Sequence, residues 1–336
     1  MNILVTGGAG YIGSHTVRQL LDAGHRVVVL DNFYSGHRWA VDAQALLVEG
    51  DIANQCLLDE VLTQNKIDAV VHFAGHIVVP ESVENPFKYY ENNVVGSLRL
   101  IQSCVKNNVS QFVFSSSAAV YGMPDTEQVN ENTRLAPINP YGHTKLITEM
   151  TLNDVAGANL NKEQPFRFVA LRYFNAAGAQ LAGNLGQSTP EATHLIKVAC
   201  EAALGVREKM MIFGTDYETP DGSCVRDYIH VEDLASAHLK ALDYLADGGK
   251  PLRLNCGYGQ GYSVKEVVAM VKKVSGVDFT VIETGRRAGD PPSLIADNSR
   301  IKSLLDWSPQ NDDLELICRS AFEWERKWQA RQQALI

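Results

Sequence analysis

Two short stretches of this chain combine residue types that do chemistry. In Gly7-Gly8-Ala9-Gly10-Tyr11-Ile12-Gly13, the glycines Gly7, Gly10 and Gly13 sit three apart between an apolar run and an amphipathic one. Missing side chains at that spacing permit a tight turn, close approach of a pyrophosphate and close packing of a helix on a strand, with phosphate charge meeting the helix N-terminus. Taken alone, such glycines are a weak signal, because an ordinary turn accounts for them as well. Here an acid, Asp31, ends the next apolar run about 20 residues on, the spacing of a ribose-binding carboxylate. Asp31 can accept hydrogen bonds from a ribose 2'-hydroxyl and would repel a 2'-phosphate, which favours NAD over NADP. Asp51-Ile52 would suit the adenine edge and Phe73-Ala74-Gly75 the middle of the same cofactor, although strand-end packing explains either equally well. The second stretch is Tyr141-Gly142-His143-Thr144-Lys145. Four apart on a helix, the phenol and the ammonium share a face. A cation there favours phenolate, bringing a group with an ordinary pKa of about 10 toward use as a base at neutral pH. Tyr and Lys recur at this spacing by chance; a preceding nucleotide motif and the serines Ser115-Ser116-Ser117 make the pair specific.

The elements that must position these residues follow from apolar periodicity. Ile3 to Thr6, Arg26 to Leu30, Ala45 to Val48, Asp68 to Phe73, Gln111 to Phe114 and Phe168 to Tyr173 read as strands, apolar almost throughout. Alternating with helical stretches, such runs indicate a parallel sheet covered on both faces. Pro86 to Asn107 and Tyr141 to Val155 read as long helices. The fold class is α/β, a doubly wound parallel sheet of the Rossmann type over residues 1–175. Past Asn175 the rhythm breaks at Gly183 to Pro190 and Tyr217 to Ser223, which places a smaller C-terminal substrate-binding region at 176–336. Residues 229–257 again look like helix and strand and are expected to return to the main sheet.

Composition bounds the partners. The chain has 336 residues, 45% of them hydrophobic, enough for a large core. Its net charge of −9 argues against nucleic acid or an anionic membrane as main partner. Apolar strand residues begin directly at Ile3, and no run reaches the roughly 18 apolar residues of a membrane helix, so a cytoplasmic protein is expected. The cysteines, Cys56, Cys104, Cys200, Cys224, Cys256 and Cys318, form no Cys-x-x-Cys pair and read as small core residues rather than a disulfide or metal framework. No histidine pair has metal-ligand spacing. Trp307, Trp324 and Trp328 are expected in C-terminal helix, the last two as a core stripe.

The motifs Thr6 to Gly13, Asp31, Ser115 to Gly122 and Tyr141-x-x-x-Lys145 resemble the extended short-chain dehydrogenase/reductase family. Within it, Asp31-Asn32, Asn92-Asn93, Arg172-Tyr173-Phe174-Asn175 and Val225 to His230 are similar to the branch that epimerises UDP-sugars at C4. The resemblance implies Tyr141, Lys145 and Ser117 as catalytic residues. It implies a cofactor shell of Gly7, Gly10, Tyr11, Ile12, Gly13, Asp31, Asn32, Asp51, Ile52, Phe73, Ala74, Gly75, Asn92, Ser115 and Tyr173, with Tyr141 and Lys145 shared with the catalytic set. It implies UDP-sugar contacts at Asn175, Leu195, Phe213, Arg226, Tyr228, Arg287 and Asp290, together with Ser117 and Tyr141. His194 could reach the diphosphate or the uridine, although a loop-to-helix packing role is the favoured reading. Leu294 marks a pocket position where relatives vary in bulk, which leaves N-acetylated sugars open. Ile77 stands where some relatives have lysine, which removes one polar contact near the cofactor. The two long helices form the dimer contact in relatives, implying a homodimer.

Rival chemistries on the same scaffold leave other signatures. Sugar 4,6-dehydratases carry an Asp-Glu pair where this chain has Ala118-Ala119, and alanine cannot move protons. A UDP-glucuronate epimerase would share the first oxidation step, but no residue here demands a sugar carboxylate. A silent NAD-sensing protein would have no need of an intact serine, tyrosine and lysine.

Overall fold

A computed structural model describes residues 1–190, 192–287 and 289–333. Strand β1 (Asn2–Thr6) runs through the glycine turn into helix α1 (Tyr11–Asp22). Then come β2 (Arg26–Asp31), β3 (Leu46–Glu49), α2 (Gln55–Gln64) and β4 (Ala69–His72). The segment expected as one helix from Pro86 is broken. After α3 (Val79–Glu84) and α4 (Pro86–Tyr89), residues Tyr90–Gly96 form a π-helix before α5 (Ser97–Lys106). Strand β5 (Gln111–Ser117) extends through the serines, β6 (Gln128–Val129) is brief, and α6 (Pro140–Ala158) carries Tyr141 and Lys145. The Asn139 side chain caps α6 by accepting from the Gly142 N–H at 2.8 Å, and Pro140 fits the first turn because no donor is needed there.

The later chain supplies β7 (Arg167–Tyr173), β8 (Asn175–Ala177), α7 (Leu195–Ala203), β9 (Met210–Phe213), β10 (Val225–His230), α8 (Val231–Ala246) and β11 (Leu252–Cys256). It ends with β12 (Gly261–Ser263), α9 (Val264–Ser275), β13 (Val281–Thr284), β14 (Ser293–Ala296), α10 (Ser299–Leu305) and α11 (Leu314–Gln333). Seven parallel strands in the order β11-β7-β5-β4-β1-β2-β3 form the main sheet. This is the doubly wound Rossmann sheet that the alternating elements predict, and its order reverses between β1 and β4. Ligands bind beyond the C-terminal strand ends at such a switch point. Ile3, Leu4 and Val5 are fully buried, as are Val70, Val71 and Val113, which explains the near-continuous apolar runs.

A second sheet, β12-β10-β14-β6 with β8 beside β10, stands next to the first. Because β6 comes from the early chain and β14 from the late one, their pairing ties the two parts together. Two readings change. Trp307 lies in the loop after α10 rather than in a helix, buried with its indole N–H donating to Asp233 O and Ser236 Oγ. Cys56 is exposed on α2, whereas the other five cysteines are buried and free. Among the described residues no helix is long and apolar enough to cross a membrane.

Candidate active site

The glycine turn is shaped as a cradle. Gly7 has φ +71°, which favours glycine, and a Cβ there would meet Ala74 N at 2.6 Å. At Gly13 a Cβ would stand 2.2 Å from Gly7 O, so only glycine lets α1 pack this closely on the turn. Gly10 is the N-cap of α1 and has no side-chain cap, leaving first-turn N–H groups directed at the groove. Asp31 is buried at the end of β2, accepting from Ala9 N at 2.9 Å and Phe33 N at 2.8 Å. Burial raises its pKa and these two bonds lower it. Each carboxylate oxygen keeps a lone pair for a ribose hydroxyl. A dinucleotide therefore fits this end of the molecule.

From the turn a single cavity of about 1610 Å³ runs to the second sheet. That exceeds the ~300–1,000 Å³ of an ordinary ligand pocket and leaves room for a dinucleotide and a nucleotide sugar together. Every candidate cofactor residue borders it except Asp51. Asp51 instead accepts from Asn32 Nδ2 at 2.8 Å and Ala53 N at 2.7 Å, so its carboxylate orients Asn32 while Ile52 meets the cavity. All the candidate UDP-sugar residues, from Asn175 and His194 to Leu294, border the same cavity.

Ser117, Tyr141 and Lys145 meet midway. Lys145 is buried, and its Nζ donates to Ser115 O at 2.8 Å while lying 5.7 Å from the centroid of the Tyr141 ring. Burial lowers its pKa to about 8, and the Glu149 carboxylate one turn further on opposes the fall. The Tyr141 phenol is also buried. That desolvation raises its pKa, and a hydrogen bond with Ser117 works the other way. The helical spacing thus brings phenol and ammonium together, but burial disfavours phenolate more than the spacing alone suggests. Ser115 Oγ and the Tyr173 hydroxyl share a short hydrogen bond.

At the far end Arg226 lies 3.7 Å from Asp290, and the Arg287 guanidinium stacks 4.2 Å above the Phe213 ring. Arg207 and Lys209 also border the cavity, giving local positive charge in an acidic chain. Burial lowers the His194 pKa, and its Nδ1 pairs with Gln187 Nε2 at 2.7 Å at the entrance to α7. Leu294 packs with Ala118, Val120 and Tyr121 while touching the cavity.

Sequence reasoning picks out Asn93 within the Asn92-Asn93 motif but gives it no role in the site. From the π-helical turn its Oδ1 accepts from His76 N at 2.8 Å, and its Nδ2 donates to His76 O at 2.9 Å and Thr144 Oγ1 at 3.2 Å. It thereby fixes the loop after β4 against the helix bearing Tyr141. Irregular π turns gather at functional sites, but no residue pattern announces this one. Arg172 and Glu149, both buried, form a bidentate pair at 2.9 and 2.6 Å, and Glu149 also accepts from Ser116 Oγ at 2.5 Å. That pair holds the serine run in register with α6.

A dinucleotide cradle at a Rossmann switch point, opening onto a buried Ser, Tyr and Lys cluster, defines an enzyme that moves hydride between a nicotinamide and a bound substrate. The chain belongs to the NAD dependent epimerase/dehydratase family, whose pattern matches residues 3–257. It is 53% identical over 324 residues to a UDP-glucose 4-epimerase of Azospirillum brasilense, covering 96% of this chain and 92% of that one. Two solved structures are similar. One is the UDP-glucose 4-epimerase of Brucella ovis in complex with NAD, at 45% identity and TM-score 0.91, covering 96% of this chain and 97% of that one. The other is the UDP-Glc/GlcNAc 4-epimerase of Campylobacter jejuni, at 51% identity and TM-score 0.85, covering 97% and 99%.

Proposed function

We propose that this protein interconverts UDP-galactose and UDP-glucose by epimerisation at C4, with NAD retained through the cycle. The observation that carries the reading is one cavity with the glycine cradle and Asp31 at one end, Arg226 and Arg287 at the other and Ser117, Tyr141 and Lys145 between. Bound NAD supplies a hydride acceptor and donor. Tyr141 as phenolate takes the proton of the sugar 4-hydroxyl, with Ser117 hydrogen-bonding the same oxygen, and returns it after the 4-keto sugar has presented its other face. Lys145 holds the cofactor ribose and favours the phenolate electrostatically. Arg226 and Arg287 offer planar forks to the diphosphate, so binding comes mainly from the nucleotide and the sugar is left free to turn. Residues 1–175 form the cofactor half, with the α8 to β11 stretch added to it, and most of 176–336 form the substrate half. Exposed Phe87, Leu98 and Met150 on the helices α4 to α6 support a homodimer; a cytoplasmic location is part of the same proposal.

Purified protein given UDP-galactose without cofactor should yield UDP-glucose. No product, either then or after adding NAD, sinks the reading. Tyr141→Phe should abolish turnover and keep NAD. A second reading, acceptance of UDP-N-acetyl sugars, is favoured by Leu294, which is smaller than an aromatic ring at the pocket wall. Parallel assays with UDP-N-acetylgalactosamine test it.

A further inference from the structure

Two aromatic rings meet above the glycine cradle. The sheet order puts β1 between β2 and β4, so a contact between the loops following β2 and β4 must span the groove over the turn of β1. Tyr34, just beyond the end of β2, and His76, just beyond the end of β4, make that contact edge to face with ring centroids 4.4 Å apart. Both border the cavity.

Each ring is anchored on its own bank. The Tyr34 N–H donates to Asn32 Oδ1 at 3.0 Å, and the Tyr34 hydroxyl accepts from Lys88 Nζ at 2.6 Å. Lys88 is in turn paired with Glu81. The backbone of His76 is held on both sides by Asn93, and Tyr89 backs its ring at 5.6 Å. Tyr89 donates to the same Glu81 at 2.8 Å, so one carboxylate steadies both banks. The imidazole Nδ1 is buried without a hydrogen-bond partner, although buried polar atoms are ordinarily paired. Tyr34, by contrast, is 56% exposed, so its ring can swing clear without disturbing the core.

We propose that Tyr34 and His76 form a strap across the dinucleotide groove that slows release of NAD, with His76 Nδ1 as a further hydrogen-bonding atom for the ribose-phosphate backbone. The strap rests on the NAD reading above. It makes retention a property of two loops as well as of the cradle, and it gives Lys88 and Glu81 a task outside the catalytic cluster.

The test uses the purified holoprotein loaded with radiolabelled NAD and chased with excess unlabelled NAD, the retained label being counted over time. Tyr34→Ala and His76→Phe should each speed release by about two- to tenfold, the range that a lost aromatic pair or a single hydrogen bond supports. The double variant should release NAD faster than either single, because Tyr34→Ala removes the ring contact whereas His76→Phe keeps a ring and removes the Nδ1 hydrogen bond. Tyr34→Phe, which keeps the ring, should stay within about twofold of the parent. His76→Gln guards against a folding defect in His76→Phe. Release at the parent rate in Tyr34→Ala, His76→Phe and His76→Gln overturns the strap and leaves the NAD reading standing. A parent protein that neither carries nor takes up NAD overturns that reading and the strap with it.

Discussion

Replacing Lys145 by methionine removes the cation beside the proposed base while keeping a buried side chain of similar length. Nζ lies 5.7 Å from the centroid of the Tyr141 ring. At an effective dielectric constant of about 20, unit charges about 6 Å apart attract by about 3 kcal/mol. Burial already raises the Tyr141 pKa, so nothing else in the cluster except the Ser117 hydrogen bond replaces the lost attraction. The acid limb of the kcat profile should therefore move up by about 2 pH units in Lys145→Met, cutting turnover at pH 7 by about 100-fold. The parent enzyme should also show an alkaline limb. Burial brings the Lys145 pKa down to about 8, so the ammonium is present below that pH and is lost as pH rises through it. The variant should lack this second limb. Initial rates of UDP-glucose formation from UDP-galactose across pH, with NAD content measured on the same samples, decide the matter. Unmoved limbs in a variant that still holds NAD refute the electrostatic role of Lys145.

Two further outcomes concern the scaffold. Glu149→Gln leaves the Arg172 cation buried without its carboxylate and should cost about 3–5 kcal/mol in urea unfolding, whereas Glu149→Leu combined with Arg172→Met should cost less than the single change. A double variant at least as unstable as the single one would mean that the pair is not balanced as described. Acid stability follows from buried histidines. Burial holds His15, His230 and His238 at about 4 and His72 at about 3, so they bind protons only on unfolding once pH falls below the ordinary value of 6.5. Asp227 runs the other way, raised to about 6 by burial, so the folded state binds one proton that the unfolded state releases. Four histidines less one aspartate leaves about three protons near pH 5, a loss of about 4 kcal/mol per pH unit there, falling to roughly half that slope toward pH 6.5 and toward pH 4. Melting curves that stay flat from pH 7 to pH 5 would contradict this.

What the sequence reveals is what neighbouring residues determine. The cradle is legible because Gly7, Gly10, Gly13 and the strand before them are contiguous, and Asp31 follows one helix and one strand later. Tyr141 and Lys145 are legible because helical spacing alone puts them on one face. The π-helical turn at Tyr90–Gly96 is not, since its residues suit an α-helix equally well and tertiary bonds from Asn93 to His76 and Thr144 accompany the irregularity. Nor is the orientation of Asp51, which depends on Asn32 reaching back from the loop after β2. Trp324 and Trp328 do stack in α11, but with Trp39, far away in sequence, completing the cluster.

Strand β10 shows how the substrate half acquires its chemistry from strand alternation. Its middle residues Arg226, Asp227 and Tyr228 must point alternately to opposite faces. Arg226 and Tyr228 meet the cavity. Asp227 turns the other way, fully buried, and accepts from the backbone N–H groups of Tyr258 at 3.0 Å, Gly259 at 2.9 Å and Ala296 at 3.2 Å. Those bonds fix β10 against β14 and the loop after β11, and the register Arg226 to Leu294 follows. A slip of one residue would bury the guanidinium and present a carboxylate to the cavity, reversing its charge where a diphosphate is proposed to bind. The cation at the substrate end is therefore held in place by the anion behind it, and each residue's role depends on the other's.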